Sequence, residues 1–365
     1  MTRPDSQPQV GDQENAAPAA PAQAARAAWA PASGPGRRRW LWLLAAGVFL
    51  LVAATLSLLV GTRPLSPGQV WHALVSPTGS EADLIVRTLR APRTLVGICV
   101  GVALAAAGVL MQGVTRNPIA DPGILGVNAG AATGVVAAAY LLDVGGLTGR
   151  VWFGFAGAAL ATALVYGVAS AARSGATPTT LVLAGAALTA LLAGLIAGIV
   201  VFDHRTMDAY RFWVVGSLAG VPADASWRLL PFVLAGLLIA VGCTRGLDAI
   251  ALGEEMAVGL GHKVARTRFL AAAAVTVLTG AAVAATGPIA FVGLMAPHLG
   301  RALVGSGHRW LLGVTALLGP AVLLTSDVVG RVVTAPAEVH AGVITAILGA
   351  PVLIALVRRR VVMAP

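Results

Sequence analysis

The amino-acid sequence predicts an all-α, polytopic membrane protein that crosses the bilayer with about ten helices. Of its 365 residues, 57% are hydrophobic and 11% are charged, and the mean hydropathy is +0.84. Apolar stretches of the roughly 20 residues needed to span a bilayer recur along the chain. The 44 glycines and many alanines are typical of helices that pack closely in lipid. This composition excludes a soluble globular domain.

Ten apolar runs bounded by charges, Pro or Gly give the predicted helices. They are preceded by residues 1–36, rich in Ala, Pro, Gln and Gly, which we expect to be a disordered cytoplasmic tail. Residues 37–365 are expected to form one transmembrane domain. The first apolar run follows three arginines and is too long for a signal peptide. The predicted spans are 40–60, 92–113, 123–142, 151–171, 180–202, 229–244, 266–285, 288–304, 310–330 and 338–357.

The distribution of basic residues predicts the topology. Ten spans place both termini on the same side of the membrane. If that side is the cytoplasm, the cytoplasmic flanks of the spans hold more Lys and Arg than the outer flanks. We therefore expect a multi-pass protein of a bacterial cell membrane, in contact with membrane lipid, with both termini cytoplasmic. The net charge of +10 is placed at these flanks and does not indicate a nucleic-acid partner.

The sequence shows no set of residues typical of an enzyme or a metal protein. Its one lysine, Lys263, lies in G-H-K-V, whereas a phosphate-binding loop needs G-x-x-x-x-G-K-[ST]. The six histidines include no i, i+4 pair and none lies near a cysteine. Cys99 and Cys243 lie far apart in apolar stretches and are expected to be buried thiols. We therefore predict no catalytic residue, metal or cofactor in this chain.

A polar elbow interrupts the apolar sequence after the second span. It runs from Gln112 to Pro122 and contains two prolines, an Asn, an Asp and an Arg. Irregular backbone at membrane depth is tolerated only where it is buried in protein or lines a cavity. The elbow therefore favours a transporter. An alternative is that Asn117 and Asp121 only cap the helix after the elbow.

A short internal repeat supports this interpretation. Arg93-Thr94 opens one span, which is followed by Asn-Pro-Ile-Ala at 117–120. Arg266-Thr267 opens another, which is followed by Gly-Pro-Ile-Ala at 287–290. In the predicted topology the two copies enter the membrane from opposite sides, as in inverted-repeat transporters. Chance similarity between Ala-rich helices is the alternative.

Three longer motifs carry a resemblance to a known family. M-Q-G-V-T-R-N-P-I-A-D-P-G-I-L-G runs from Met111 to Gly126, A-L-G-E-E-M-A-V-G-L-G from Ala251 to Gly261, and G-P-I-A-F-V-G-L-M-A-P-H-L-G-R from Gly287 to Arg301. With S-D-V-V-G-R at 326–331 and G-V-I-T-A-I-L-G-A-P at 342–351, they resemble the permease subunits of iron–siderophore and cobalamin ABC importers. The resemblance covers about 40–360. His340 departs from it, since the family usually has proline there.

The resemblance implies the partners and the substrate. Two permease chains, as a homodimer or a heterodimer, would enclose a path. ATP-binding cassette ATPase subunits, which hold the ATP, would bind below, and an extracytoplasmic substrate-binding protein would dock above. A ferric siderophore is the expected substrate, with haem or cobalamin as alternatives. An ion-coupled secondary transporter is the alternative from another class, and it would need a titratable group in mid-membrane, for which Asp327 is the candidate.

The segment at 247–262 resembles the family's cytoplasmic coupling segment. Glu254 and Glu255 suit the start of a short helix, and the glycines permit a sharp turn into a second short helix. The alternative is a solvated loop with capping glutamates. The residues expected to contact the ATPase are Gly253, Glu254, Glu255, Ala257, Leu260 and Gly261.

Arginines at the outer side are the second candidate site. Arg90, Arg93 and Arg331 match family positions that receive acidic residues of the binding protein. Arg87 shares their spacing of three, which would place Arg87, Arg90 and Arg93 on one helix face. Lipid-phosphate anchoring is an alternative, as is an i, i+4 pair between Arg331 and Asp327, because an intramembrane Asp needs a partner. The residues that match the family's cytoplasmic gate are Gln112, Asn117, Ile119, Pro178 and Thr179.

Overall fold

The computed structural model describes residues 36–142, 147–172 and 177–361, and the described residues form helices and no strand. The predicted tail lies outside the described residues except for its last position. A π-helical turn at Ile85–Arg90 joins the third and fourth helices, and a 3-10 turn at Pro122–Leu125 precedes the fifth. The helices are α1 (Gly36–Leu59), α2 (Pro67–Val75), α3 (Glu81–Leu84), α4 (Ala91–Thr115), α5 (Val127–Leu142), α6 (Leu147–Ala171), α7 (Pro178–Phe202), α8 (His204–Trp213), α9 (Ala225–Ala251), α10 (Glu254–Gly259), α11 (Val264–Thr286), α12 (Val292–Val304), α13 (His308–Val333) and α14 (Ala341–Val361).

Each of the ten predicted spans coincides with one of these helices, which confirms the all-α, multi-pass fold. Within the described residues, seven helices are long and apolar enough to cross a membrane. The shorter apolar helices α5 and α14 and the 13-residue α12 account for the other three spans. The remaining helices, α2, α3, α8 and α10, are short segments that lie between the spans.

Helix α4 forms the centre of the fold. It packs against α9, α11, α12 and α13. In its most apolar 18-residue stretch, 78% of the residues are buried inside the protein, whereas the corresponding shares are 17% for α1 and 11% for α7. The apolar faces of α1 and α7 are therefore left for lipid or another chain. Small residues let the central helices approach closely.

The two copies of the repeat have the same local structure. Arg93-Thr94 are the third and fourth residues of α4, and Arg266-Thr267 are the third and fourth residues of α11. Both helices end in non-helical backbone at the Pro-Ile-Ala of the repeat. Prolines, which lack an N–H and disfavour helical backbone in the preceding residue, explain why both helices stop there.

The interrupted segments after α4 and α11 meet each other inside the protein. A Cβ added at Gly108 of α4 would lie 1.9 Å from the carbonyl oxygen of Gly293 in the first turn of α12. A Cβ added at Gly293 would lie 3.0 Å from Pro122, which begins the 3-10 turn after the elbow. Only glycine allows backbones to come this close. The first interruption is thereby packed directly on the second.

Candidate functional site

A buried ion cluster lies where the start of α4 meets the C-terminal part of α13. Arg93 donates from Nη2 to Oδ1 of Asp327 at 2.7 Å and from Nε to Oδ2 at 3.0 Å. Its remaining nitrogen, Nη1, donates to Glu338 at 2.8 Å. The side chain of Asp327 is 0% exposed, whereas that of Glu338, in the loop before α14, is 29% exposed. Arg93 thus joins a buried carboxylate to one at the surface.

Arg331 completes this cluster and attaches it to α1. It donates from Nη2 to Asp327 at 2.6 Å and to the Ser57 hydroxyl at 2.8 Å. Its Nη1 donates to the carbonyls of Ser57 and Val60, both at 2.9 Å. The i, i+4 pair between Arg331 and Asp327, which the sequence offered as an alternative to docking, is present. The buried Asp therefore has two guanidinium partners, which offset the cost of removing its charge from water.

Arg90 binds the end of the same helix. Its Nη1 donates to the carbonyls of Leu58 and Leu59 at 2.7 and 2.8 Å, and its Nη2 donates to the Arg63 carbonyl. The last carbonyls of a helix have no partner within it. Arg90 and Arg331 supply those partners at the C-terminus of α1. Both arginines are therefore part of the framework that holds the first span.

These contacts limit what the outer arginines offer a binding protein. Arg90 and Arg331 are 6% and 3% exposed, and Arg87 is exposed. The predicted common face of Arg87 and Arg90 is wrong, because the π-helical turn at Ile85–Arg90 replaces α-helical spacing there. A surface cavity whose lining includes Arg63, Glu338 and all three predicted docking arginines, Arg90, Arg93 and Arg331, opens at this end. Docking through Arg90, Arg93 and Arg331 stays a prediction.

The elbow is a series of tight turns stabilised by its own polar side chains. Asn117 accepts a hydrogen bond from the backbone N–H of Ile119 at 3.1 Å, and Asp121 accepts one from Gly123 at 2.8 Å. Asp121 thus caps the 3-10 turn, and Asn117 closes a turn within the elbow, so neither side chain caps α5 itself. Asn117 is half-buried and Ile119 is 36% exposed.

The predicted gate residues of the elbow and of α7 differ in exposure where the structure describes their side chains. Gln112 is fully buried within the chain, where its Nε2 donates to the Gly293 carbonyl at 3.4 Å. Thr179 is exposed at the start of α7, whose N-cap is Thr177. The end of the elbow motif, at Gly126, faces Leu188 of α7, which is about 14 Å further along that helix at 1.5 Å per residue. A role for Gln112, Asn117, Ile119, Pro178 and Thr179 in a gate stays a prediction.

The coupling segment contains one short helix, α10, which starts at Glu254 as predicted. Gly253 before it and Gly261 after it have φ of 119° and 81°, values that favour glycine. The expected second short helix is wrong, because the chain passes from Gly261 through the non-helical His262 and Lys263 into the 23-residue α11. Ala257 is fully buried against the end of α9. This contact seats α10 on the body of the protein.

The two glutamates of α10 have different environments. Glu255 is exposed. Glu254 accepts hydrogen bonds from Arg268 of α11 at 2.5 Å and from Arg116 of the elbow at 3.4 Å. The structure thus places Glu254 in a partly exposed ion cluster with Arg116 and Arg268, and contact of either glutamate with an ATPase stays a prediction.

Asp248 and His308 form a polar contact that the sequence analysis missed. Asp248, near the end of α9, accepts hydrogen bonds from Nδ1 of His308 at 2.6 Å and from its backbone N–H at 2.9 Å. The carboxylate thereby binds the N-terminus of α13, where negative charge is favourable. A Cβ at Gly113 of α4 would lie 2.7 Å from the imidazole. The 60 residues between the partners leave no local signal of this contact.

Comparison with known proteins agrees with this geometry. Residues 49–359 match the FecCD transport family. The chain is 44% identical over 314 residues to the ferric enterobactin transport system permease protein FepD of Escherichia coli (strain K12), covering 86% of this chain and 93% of that protein. It is 39% identical over 321 residues to the "Probable siderophore transport system permease protein YfiZ" of Bacillus subtilis (strain 168), covering 88% and 96%.

A third relative and a solved structure extend the comparison. The cobalamin import system permease protein BtuC of Halobacterium salinarum is 36% identical over 363 residues, covering 88% of this chain and 97% of that protein. A solved chain described as a metal-chelate type ABC transporter in an inward-facing conformation has a TM-score of 0.77 at 30% identity, covering 87% and 98%. The chain therefore belongs to the FecCD transport family, whose members include permeases of the ABC importers that its motifs resemble.

Proposed function

We propose that this chain is the membrane permease subunit of an ATP-driven importer that moves a ferric siderophore into a bacterial cell, with both of its termini in the cytoplasm. The observation that carries the proposal is the coupling segment. It presents a short helix that is seated on the protein by Ala257 and exposes an apolar surface beside an exposed acidic residue, Glu255.

That apolar surface supports an ATPase partner. Met256, Val258 and Leu260 are 57%, 63% and 60% exposed, and Leu252 just before them is 69% exposed. Met256 and Leu260 are four residues apart, the spacing that places side chains on one helix face, and exposed apolar side chains rimmed by polar residues are typical of a protein interaction site. We expect these four side chains to enter a groove of the ATPase, which supplies the ATP hydrolysis that this chain does not perform.

The ion cluster on the outer side supports a docking mode for the binding protein. Arg93 faces the surface cavity and already holds a partly exposed carboxylate, Glu338, at 2.8 Å. An acidic side chain of the binding protein could replace Glu338 on Nη1 while Asp327 retains the other donors. Guanidinium forms such charge-assisted pairs with carboxylates readily. Arg90 and Arg331 would then position the site rather than contact the partner.

The substrate is proposed from the relatives. Two of them carry siderophore or ferric enterobactin in their names, and FepD is 44% identical. The cobalamin permease at 36% identity keeps cobalamin as the second candidate. The weakly buried apolar faces of α1 and α7 leave room for a second permease copy beside lipid. A path between two copies suits a bulky ligand.

The pairing of Asp327 supports ATP-driven transport over ion coupling. A carboxylate that carries protons must exchange between charged and neutral forms during the cycle. Asp327 has no exposed side-chain surface from which to exchange protons with water, and its carboxylate is occupied by Arg93 and Arg331. A secondary transporter that depends on this residue is therefore disfavoured.

The test is co-purification and uptake with one matched pair of variants. The chain is purified from native membranes in mild detergent, its stoichiometric companions are identified by mass spectrometry, and uptake of radiolabelled ferric siderophore and cobalamin is measured in cells. We expect an ATPase with a phosphate-binding loop, lost in Met256→Arg/Leu260→Arg and retained in Arg245→Gln, an exposed site near the end of α9.

Uptake in the presence of an uncoupler separates the alternatives. Siderophore uptake that needs the ATPase and survives the uncoupler supports the proposal. Uptake that survives deletion of the ATPase and collapses with the uncoupler would reject it in favour of ion coupling. Uptake of cobalamin alone would keep the ATP-driven importer and change its substrate.

A further inference from the structure

Glu254, the first residue of the coupling helix, is held by arginines from two distant parts of the chain. Arg268 of α11 donates to it at 2.5 Å, and Arg116 of the elbow donates to it at 3.4 Å. Arg268 is 14 residues away and Arg116 is 138 residues away. The elbow and the coupling helix are therefore joined directly through one carboxylate.

Arg116 occupies an unusual backbone conformation to make this contact. It ends α4 with a φ of 49°, in the left-handed region. Among the described non-glycine residues, only Arg116 and Phe291 have positive φ. Glycine and asparagine adopt this region more easily than arginine. Either residue would fit this backbone conformation better than arginine does. The presence of an arginine therefore points to a role for its charged side chain.

The two ion pairs of Glu254 differ in exposure. The Arg268 side chain is 10% exposed, whereas those of Arg116 and Glu254 are 41% and 42% exposed. An exposed pair contributes little to folding stability, because water and salt screen it. The Arg268 pair therefore anchors Glu254 on α11, and the Arg116 pair is the one that can break and re-form as the elbow moves.

We propose that Arg116 is a positioning residue that transmits displacement of the coupling helix to the elbow through Glu254. The inference rests on the proposed function, since it assumes that an ATPase moves α10. When α10 shifts, the carboxylate moves with it, and the guanidinium of Arg116 pulls on the junction between α4 and the elbow. Loss of the charge at position 116 then uncouples ATP hydrolysis from substrate movement.

The test separates the charge of Arg116 from its backbone conformation. The complete complex with its ATPase and binding-protein subunits is reconstituted in proteoliposomes, and radiolabelled ferric siderophore transported per ATP hydrolysed is measured. Arg116→Gly and Arg116→Asn keep the left-handed backbone and remove the charge, whereas Arg116→Lys keeps the charge. Arg245→Gln, an exposed arginine near the end of α9, is the control.

We expect the Gly and Asn variants to lose up to about fivefold in substrate transported per ATP, the most that an exposed ion pair of about 1 kcal/mol supplies, and the Lys variant to retain most of the native ratio. A Gly variant that couples as well as the native chain would overturn the proposal, and so would a Lys variant as uncoupled as the Gly variant. If the native complex shows no ATP-dependent transport, the proposed function itself fails. If the native complex is coupled and the variants are coupled equally well, only the role of Arg116 fails.

Discussion

Arg93 and Asp327 are 234 residues apart in sequence and form the central pair of the buried ion cluster. Nη2 and Nε of Arg93 approach the two carboxylate oxygens at 2.7 and 3.0 Å, so the guanidinium binds the carboxylate with two parallel donors. Arg331 adds a second cation at 2.6 Å. This pair ties the central helix α4 to α13 and thereby holds the surface on which we expect the binding protein to dock.

Replacing the buried carboxylate should strongly destabilise the protein. In Asp327→Asn, the guanidiniums of Arg93 and Arg331 lose their shared counter-charge while Arg331 stays buried. Breaking a buried pair costs about 3–5 kcal/mol. We expect a clear fall in the thermal unfolding midpoint of the detergent-solubilised protein. Asp224→Asn removes an exposed i, i+4 pair with Arg228 and should cost less than about 1 kcal/mol. Equal shifts in the two variants would contradict the structural role of Asp327.

Removing the surface carboxylate should tighten docking of the binding protein. In Glu338→Gln, Nη1 of Arg93 loses its charged partner and becomes available to an acidic side chain. A hydrogen bond to a charged group contributes about 1.5–3 kcal/mol. We therefore expect the dissociation constant of the binding protein, measured on permease in nanodiscs, to fall several-fold. An unchanged or higher dissociation constant would show that the partner does not compete with Glu338 for Arg93.

The crossing between α4 and α12 should tolerate no side chain. A Cβ in Gly108→Ala would lie 1.9 Å from the Gly293 carbonyl oxygen, so the two segments must separate. Overpacking of this kind costs about 1–3 kcal/mol or more. We expect loss of folded protein in detergent, measured by size-exclusion chromatography. Gly167→Ala, where a Cβ meets nothing within 4 Å, is the control and should be neutral or slightly stabilising. Normal folding of the Gly108 variant would show that α4 and α12 do not approach each other as closely as the structure describes.

The turn into the coupling helix should require glycine for its backbone conformation. Gly253 has a φ of 119° and open space around it, so Gly253→Ala is strained by its backbone rather than by a clash. Such strain costs on the order of 1–3 kcal/mol. We expect α10 to shift and less ATPase to co-purify. Gly259→Ala also meets nothing within 4 Å, but Gly259 is the last residue of α10 and its φ is not positive, so alanine fits its backbone. A larger loss of co-purified ATPase for Gly259→Ala than for Gly253→Ala would contradict the explanation by backbone strain at Gly253.

Local sequence patterns were sufficient to predict the membrane-spanning helices but not the structure of every segment that connects them. Each predicted span matched a helix, because hydropathy and proline placement act over neighbouring residues. The start of α10 at Glu254 was predicted in the same way, from an acidic pair after a glycine. The predicted second short helix failed because glycines permit a turn without deciding the structure of the residues after it. The common face of Arg87 and Arg90 failed because a π-helical turn, which no residue pattern there indicates, changes the spacing.

The sequence by itself determined that this chain is an all-α membrane protein with ten spans, an elbow after the second span and a coupling motif before the seventh. These features depend on composition and on residues close together in the chain. Only the tertiary structure decided that Arg90 and Arg331 bind the end of α1, that Gln112 is buried against Gly293, and that Glu254 joins Arg116 to Arg268. Except for Arg268, the partners are separated by about thirty to nearly three hundred residues, and hydrogen bonds across such separations exist only once the helices have packed.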